Sequence, residues 1–336
     1  MFINFCATGK SGLGHIRRIT NIAVELRRQR PGFKLRLICN ANLVGVQNSE
    51  RALYQEILQV DRNSMVTRMP DGAAIVVDTA VLPGLESCKQ PLCLILRQTR
   101  VSQVASFSLG KKRSWDLVLA PNPPAVWTPD YAALPRRKTI HVGWIYRTAD
   151  SVESGAASSF RRIRRVLIAS GGGGSHGKAL GRKLALLIDE IRANLSLPLE
   201  VVQCIGPRAD IDSRIRGVDV EIRPGADLPN AFAAADLVIT TAGYNSVLEL
   251  ATLDVPTLLL PIETRYDDQQ QRTNQWSGSL GFQYAADNFK ASVEWTVQTL
   301  LLRRRREPID IGPSGAGKAA ASIIRLATKA PKMHHA

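Results

Sequence analysis

Short apolar runs recur along the chain, separated by longer amphipathic stretches. In the first half, Phe2–Ala7, Lys34–Cys39, Ala73–Asp78, Leu92–Leu96, Asp116–Ala120 and Lys138–Val142 have the length and apolar character of buried strands. Between the first two, Ile16, Ile19, Ile22, Ala23 and Leu26 fall on one face of a helix running from about His15 to Arg28. The second half repeats the scheme. Strands are predicted at Arg165–Ser170, Leu199–Ile205, Val218–Ile222, Leu237–Thr241 and Pro256–Leu260. A helix over Ala179–Leu195 gathers Leu180, Leu184, Leu187, Ile188 and Ile191 on one face. Strands alternating with helices imply parallel α/β sheets, because parallel neighbours need a crossover between them. The text TADSVESGAASS, small, polar and aperiodic, separates the two series and reads as a linker. The expected organisation is an α/β domain over 1–147, a linker over 148–162 and a second α/β domain over 163–336 that ends in a C-terminal helix.

A length of 336 residues suits two domains of roughly 150 each. Hydrophobic content of 45% against 22% charged residues is that of a folded chain with a sizeable core. The cysteines at 6, 39, 88, 93 and 204 lie mostly in apolar runs, where a thiol packs as a small hydrophobe. Cys88 and Cys93 lack a second Cys/His pair, so no metal site is expected. The N-terminus has no basic segment followed by an apolar core, and no apolar run reaches the ~18 residues of a membrane span. A cytoplasmic protein is expected. The formal net charge of +15 favours an anionic partner: nucleic acid, an anionic membrane face or a phosphorylated substrate. An arginine-rich proteome gives the same excess, and runs such as Arg303 to Arg306 read as solvated helix faces.

Three glycine-rich turns carry the candidate chemistry. The first, ATGKSGLGHIRR, places Gly9, Gly12 and Gly14 between a strand and a helix that opens at His15. Glycine lets backbone approach a ligand, and a helix N-terminus favours negative charge. The spacing is G-x-x-G-x-G, not the dinucleotide fingerprint, and no acidic residue ends the second strand. The second turn, SGGGGSHG, contains Gly171, Gly172, Gly173 and Gly174. Close contact of backbone N–H groups with a diphosphate is the economical explanation, with Ser175 and His176 as further donors. In the third, TTAGYNSVLELA, Gly243 makes the turn, Asn245 or Ser246 caps a helix, and Glu249 is expected in its first turn. A carboxylate there can accept two hydrogen bonds from a ribose, or simply complement the helix dipole. The loop after the next strand offers Asp268, Gln269, Gln270, Gln271 and Asn274, amides that suit a polyhydroxylated ligand. Gly312 to Lys318 matches G-x-x-x-x-G-K, but Ala319 stands where a magnesium-binding hydroxyl belongs, so the segment reads as the start of a C-terminal helix. Asp210 and Asp212 read as a solvated helix start.

These turns, with the Gly/Glu/Gln constellation, resemble the GT-B glycosyltransferases, above all the family 28 enzymes and their peptidoglycan lipid-intermediate N-acetylglucosaminyltransferases. The likeness is strongest over about Leu237 to Gln275 and in GLGHIRR. It implies two Rossmann-like parallel-sheet domains facing each other across a cleft, the first binding acceptor and the second a nucleotide sugar. Carried over by position, Gly225 and Leu228 border the base and Glu249 holds the ribose. Gly243, Tyr244, Asn245 and Ser246 line the phosphates and sugar, as do Gly12, Gly14 and the second glycine turn with Ser175 and His176. Asp268, Gln270 and Gln271 read the sugar, and Arg147 in GWIYR sits near the diphosphate. His15 matches the first-loop histidine, the catalytic base or a phosphate ligand. The second loop is longer here than the family's GGSQG, and no membrane-anchoring apolar patch is identifiable.

The implied reaction is inverting transfer of a sugar, N-acetylglucosamine or another hexose, from a UDP-sugar to a hydroxyl of a small-molecule or anionic acceptor. No metal or other cofactor is expected, and contact would be with the inner membrane face at most. A nucleotide-sugar hydrolase of the same superfamily fits GLGHIRR equally well. A basic nucleic-acid-binding protein is disfavoured by the absence of a recognition motif and an aromatic content of only 6%.

Overall fold

The computed structural model describes residues 1–9, 13–41, 43–131, 134–147, 162–171, 177–206, 214–222, 228–264 and 267–329. The chain divides into two compact units: Met1–Ala41, Val46–Tyr146 and Gly312–Ala336 form the first, and the second consists chiefly of Arg147–Ile311.

The first unit runs β1 (Phe2–Ala7), α1 (Gly14–Gln29), β2 (Lys34–Cys39), α2 (Asn48–Arg51), β3 (Glu56–Gln59), β4 (Ala74–Asp78), β5 (Leu92–Ile95), α3 (Val101–Val104), β6 (Leu117–Ala120) and β7 (Thr139–His141). Its seven strands lie in the order β3-β2-β1-β4-β5-β6-β7, and every neighbouring pair is parallel. β1 pairs with β2 on one side and β4 on the other, so the chain reverses its direction of travel across the sheet there. Beyond the carboxyl ends of strands at such a switch point an open crevice forms, where α/β folds bind ligands. α1 buries the predicted face, Ile16, Ile19, Ile22, Ala23 and Leu26. Burial of each large side chain there contributes about 2 kcal/mol.

The second unit runs β8 (Arg164–Ala169), α4 (Gly177–Asn194), β9 (Leu199–Cys204), β10 (Val220–Ile222), α5 (Leu228–Ala233), β11 (Leu237–Thr241), α6 (Tyr244–Ala251), β12 (Thr257–Leu260), α7 (Gln269–Leu280), β13 (Gly281–Gln283) and α8 (Phe289–Leu301). Its six parallel strands follow the same logic, β10-β9-β8-β11-β12-β13, with the switch point between β8 and β11. α4 supplies Leu180, Leu184, Leu187, Ile188 and Ile191 to a core shared with β8, β9, β11 and β12.

Two strands escape the apolar pattern. β3 is half-polar and sits at a sheet edge, where Arg36 reaches from β2 to Glu56 with Nε 2.6 Å from its carboxylate. β13 has only three residues, and Gly281 opens it because a Cβ would collide with the Thr257 backbone and the Trp295 ring.

The last helix, α9 (Ala316–Lys329), is where Gly312 to Lys318 leads, as the sequence suggests. It belongs to the first unit, however, and packs along α1, which corrects the expectation that it closes the second domain. Gly315 allows this, since a side chain there would overlap the carbonyls of Val142 and Gly143. Gln29 Nε2 then donates to Gly317 O at 2.9 Å and Lys318 Nζ to His141 O at 2.7 Å.

The arginine run is a second correction. α8 ends before it, so these residues do not form a helix face. Arg306 donates to the carbonyls of Val255 and Leu250, and Arg305 to Ala235, with ion pairs to Asp236 and Asp254. Part of the positive charge therefore ties the last segment of the second unit to its core. The expected linker over 148–162 falls, except for Arg162, outside the described residues.

Candidate functional site

In the first unit the site grows from the switch point. β1 ends at Ala7, the Gly9 N–H donates to Asn40 Oδ1 at 2.9 Å, and α1 begins at Gly14 with Leu13 as its N-cap. No acid occupies the first turn of α1. His15, a quarter exposed, points Nδ1 at Asp78 Oδ1, 3.2 Å away. Asp78 is the last residue of β4 and completely buried. One turn along α1, Arg18 is buried too and grips the same carboxylate by two bonds, Nε to Oδ2 at 2.9 Å and Nη2 to Oδ1 at 2.7 Å. Thr79 adds its hydroxyl to Asp78 Oδ1 at 2.7 Å from a backbone with φ of +47°, a region costly for a β-branched residue.

Burial alone would raise the Asp78 carboxyl, but the Arg18 charge, then His15, outweighs it and holds the group well below the usual carboxylate range. Asp78 is thus an acceptor only. In the neutral imidazole, His15 Nδ1 is then the protonated nitrogen and Nε2 the one with the lone pair. Sequence reasoning singled out His15 but not Asp78 or Arg18, which the structure brings to it. Their signals were an acid ending an apolar strand and an arginine on the buried face of a helix.

In the second unit, β8 leads to Gly171, whose φ of +88° suits glycine and where an added Cβ would stand 3.5 Å from the Thr241 hydroxyl. Thr240 Oγ1 donates to Ala169 O at 2.8 Å, locking the ends of β8 and β11 together. α6 then starts directly after the Gly243 turn. Gly243, not Asn245 or Ser246, is the N-cap, and Glu249 sits in the second turn, not the first. Both points correct the sequence expectation. They also weaken the dipole explanation of Glu249, because that effect falls off within a turn. Glu249 is buried, 8% exposed. Tyr244 is buried, and Asn245 and Ser246 are half-buried beside it.

After β12, the loop is braced by its own side chains. Asp268 caps α7, accepting from the Gln271 N–H at 3.0 Å, and Gln269 Oε1 accepts from the Ile262 N–H at 3.2 Å. Gln269 is thereby structural, whereas Gln270 and Gln271 are exposed, Gln270 donating to Asn274 Oδ1 at 2.8 Å. Leu228 opens α5 and Arg147 is half-buried. Gly12, Gly172, Gly173, Gly174, Ser175, His176 and Gly225 lie outside the described residues, as do Asp210 and Asp212.

Two doubly wound units with glycine turns at both switch points define the GT-B class of fold. A spinosyn rhamnosyltransferase complexed with thymidine diphosphate superposes over 98% of this chain and 95% of its own, with a TM-score of 0.59 at 16% identity. The UDP complex of MnaA from S. aureus gives a TM-score of 0.65 at 11% identity, over 98% of both chains. Within this fold the sequence is family 28-like: residues 172–281 match the glycosyltransferase family 28 C-terminal domain. A relative from Geobacillus kaustophilus (strain HTA426), UDP-N-acetylglucosamine--N-acetylmuramyl-(pentapeptide) pyrophosphoryl-undecaprenol N-acetylglucosamine transferase, is 31% identical over 137 residues. That stretch is 37% of this chain and 35% of the relative, so the chain matches about a third of the relative's length. Among the described residues no helix is long and apolar enough to cross a membrane.

Proposed function

We propose that the protein is an inverting glycosyltransferase that moves a sugar from a UDP-sugar to an acceptor hydroxyl without a metal ion. The observation that carries the chemical half of this reading is the His15–Asp78–Arg18 relay. A buried, ionised carboxylate fixes the imidazole with Nδ1 protonated, so Nε2 can take a proton from an acceptor hydroxyl, and Asp78 stabilises the imidazolium that results. The hydroxyl oxygen then attacks C1 of the sugar with inversion, and the bond from C1 to the diphosphate breaks.

The donor half rests on the second unit. Backbone N–H groups around the Gly243 turn and the N-terminus of α6 suit the charge that grows on the departing UDP, a task that arginine can share. Glu249 is assigned to the ribose hydroxyls, Gln270 and Gln271 to the sugar, and Arg147 to the diphosphate. The glycine turn at 171–174, with Ser175 and His176, is assigned to the same anion, and Gly225 with Leu228 to the base. The match over 172–281 supports a uridine nucleotide, since the relative's name specifies UDP-N-acetylglucosamine. That name also suggests a lipid-linked acceptor and work at a membrane face.

The test is UDP release from UDP-N-acetylglucosamine in EDTA, with the lipid-linked muramyl pentapeptide as acceptor. His15→Ala should lower kcat about 100-fold or more while donor affinity changes little. Full activity in that variant removes the base, and loss of wild-type activity in EDTA removes metal independence. Equally rapid release with water alone favours the nucleotide-sugar hydrolase, for which the same relay would activate water.

A further inference from the structure

We propose that Arg272 is a positioning residue that couples the Gly243 turn to the sugar-reading start of α7, so that it governs discrimination between donor sugars more than affinity for the nucleotide. The inference rests on the donor reading above and concerns a side chain to which that reading gives no task. Arg272 lies in the second turn of α7 and is 2% exposed, out of reach of a ligand. Its Nη1 donates to Ala242 O at 2.6 Å, the carbonyl immediately before Gly243. Its Nη2 donates to Asp267 Oδ1, also at 2.6 Å, in an ion pair whose partners are 3% and 13% exposed. The guanidinium carbon stands 6.0 Å from the Tyr244 ring centroid.

Asp267 is itself fixed. Its N–H donates to Thr264 Oγ1 at 3.0 Å, the Thr264 hydroxyl donates back to its carbonyl at 2.9 Å, and Gln269 Nε2 reaches its Oδ2 at 3.4 Å. One planar fork thus joins three elements: the turn after β11, the loop after β12, and α7. A lysine ammonium is a compact point charge without that fork, so it cannot reproduce both bonds with the same geometry. A buried guanidinium is costly unless all its partners are in place, so moving either the turn or the loop disturbs the other. Gln270 and Gln271, in the first turn of α7 immediately before Arg272, are exposed, and their distance from the Gly243 turn is set through Arg272. An amide that distinguishes an acetamido group from a hydroxyl must be held to a fraction of an ångström, which is what this brace supplies.

The experiment titrates the full chain with UDP, UDP-N-acetylglucosamine and UDP-glucose, for the wild type and for Arg272→Lys, Asp267→Asn and Asp267→Glu. In Arg272→Lys and Asp267→Asn the affinity ratio between the two sugars should shrink about tenfold, while UDP alone binds within about threefold of wild type. Asp267→Glu, which keeps the ion pair, should restore much of the ratio. Asp267→Asn leaves the Ala242 bond intact and serves if Arg272→Lys does not fold. A purely structural brace would lower Tm with the ratio unchanged, and that result overturns the inference. Absence of UDP-sugar binding by the wild-type chain overturns the donor reading, and this inference with it.

Discussion

The proposed base, His15, has its neutral tautomer fixed by Asp78 at the end of β4. Asp78→Asn should remove the buried negative charge that faces Arg18, lowering stability at pH 7 by about 3 kcal/mol. The sign with pH follows from the depressed carboxyl. Its contribution is complete above the ordinary carboxylate value of about 3.9 and is lost as pH falls toward the lower folded value. The gap between wild type and variant in urea unfolding should therefore begin to narrow below about pH 4 and close only as pH approaches the lower folded value, and a gap independent of pH would contradict the assignment. Glu249→Ala should weaken UDP binding by about 1–3 kcal/mol, read by titration, and an unchanged affinity would end its role at the ribose. His15 and Glu249 could be singled out from sequence because they follow glycine turns at the start of helices. Asp78, Arg18 and Arg272 could not, since a charged residue inside an apolar pattern reveals its partner only when the chain folds.

At the scale of elements, the period of the apolar runs located most strands, and two of them to the residue at both ends in the first unit, Phe2–Ala7 and Lys34–Cys39. It failed where tertiary bonds substitute for pattern. β3 is kept at its edge partly by the Arg36–Glu56 pair, and β13 depends on a backbone approach that only glycine permits. The position of Glu249 was misjudged by a turn because the helix starts without a side-chain cap. Gly281→Ala should cost about 2 kcal/mol or more, through both the positive φ and the collision with the Thr257 backbone. Thermal unfolding checks this, and a Tm within a degree of wild type would show that the strand tolerates a side chain there.

Over the whole molecule, the repeated strand–helix series made two parallel-sheet units evident before any coordinates. The return of the chain end to the first unit was not evident, because α9 is separated from α1 by almost the full sequence and nothing local announces the pairing. Net charge of +15 pointed to anionic partners without naming one, and part of it is spent on carbonyls and carboxylates around Arg305 and Arg306. What distinguishes a nucleotide-sugar enzyme from any other basic α/β protein is the occupant of the second switch point. Calorimetric titration with UDP, dTDP and NAD in EDTA asks that directly. The account predicts saturable binding of UDP, weaker binding of dTDP and none of NAD; failure of UDP to bind would contradict the donor assignment and leave only the fold.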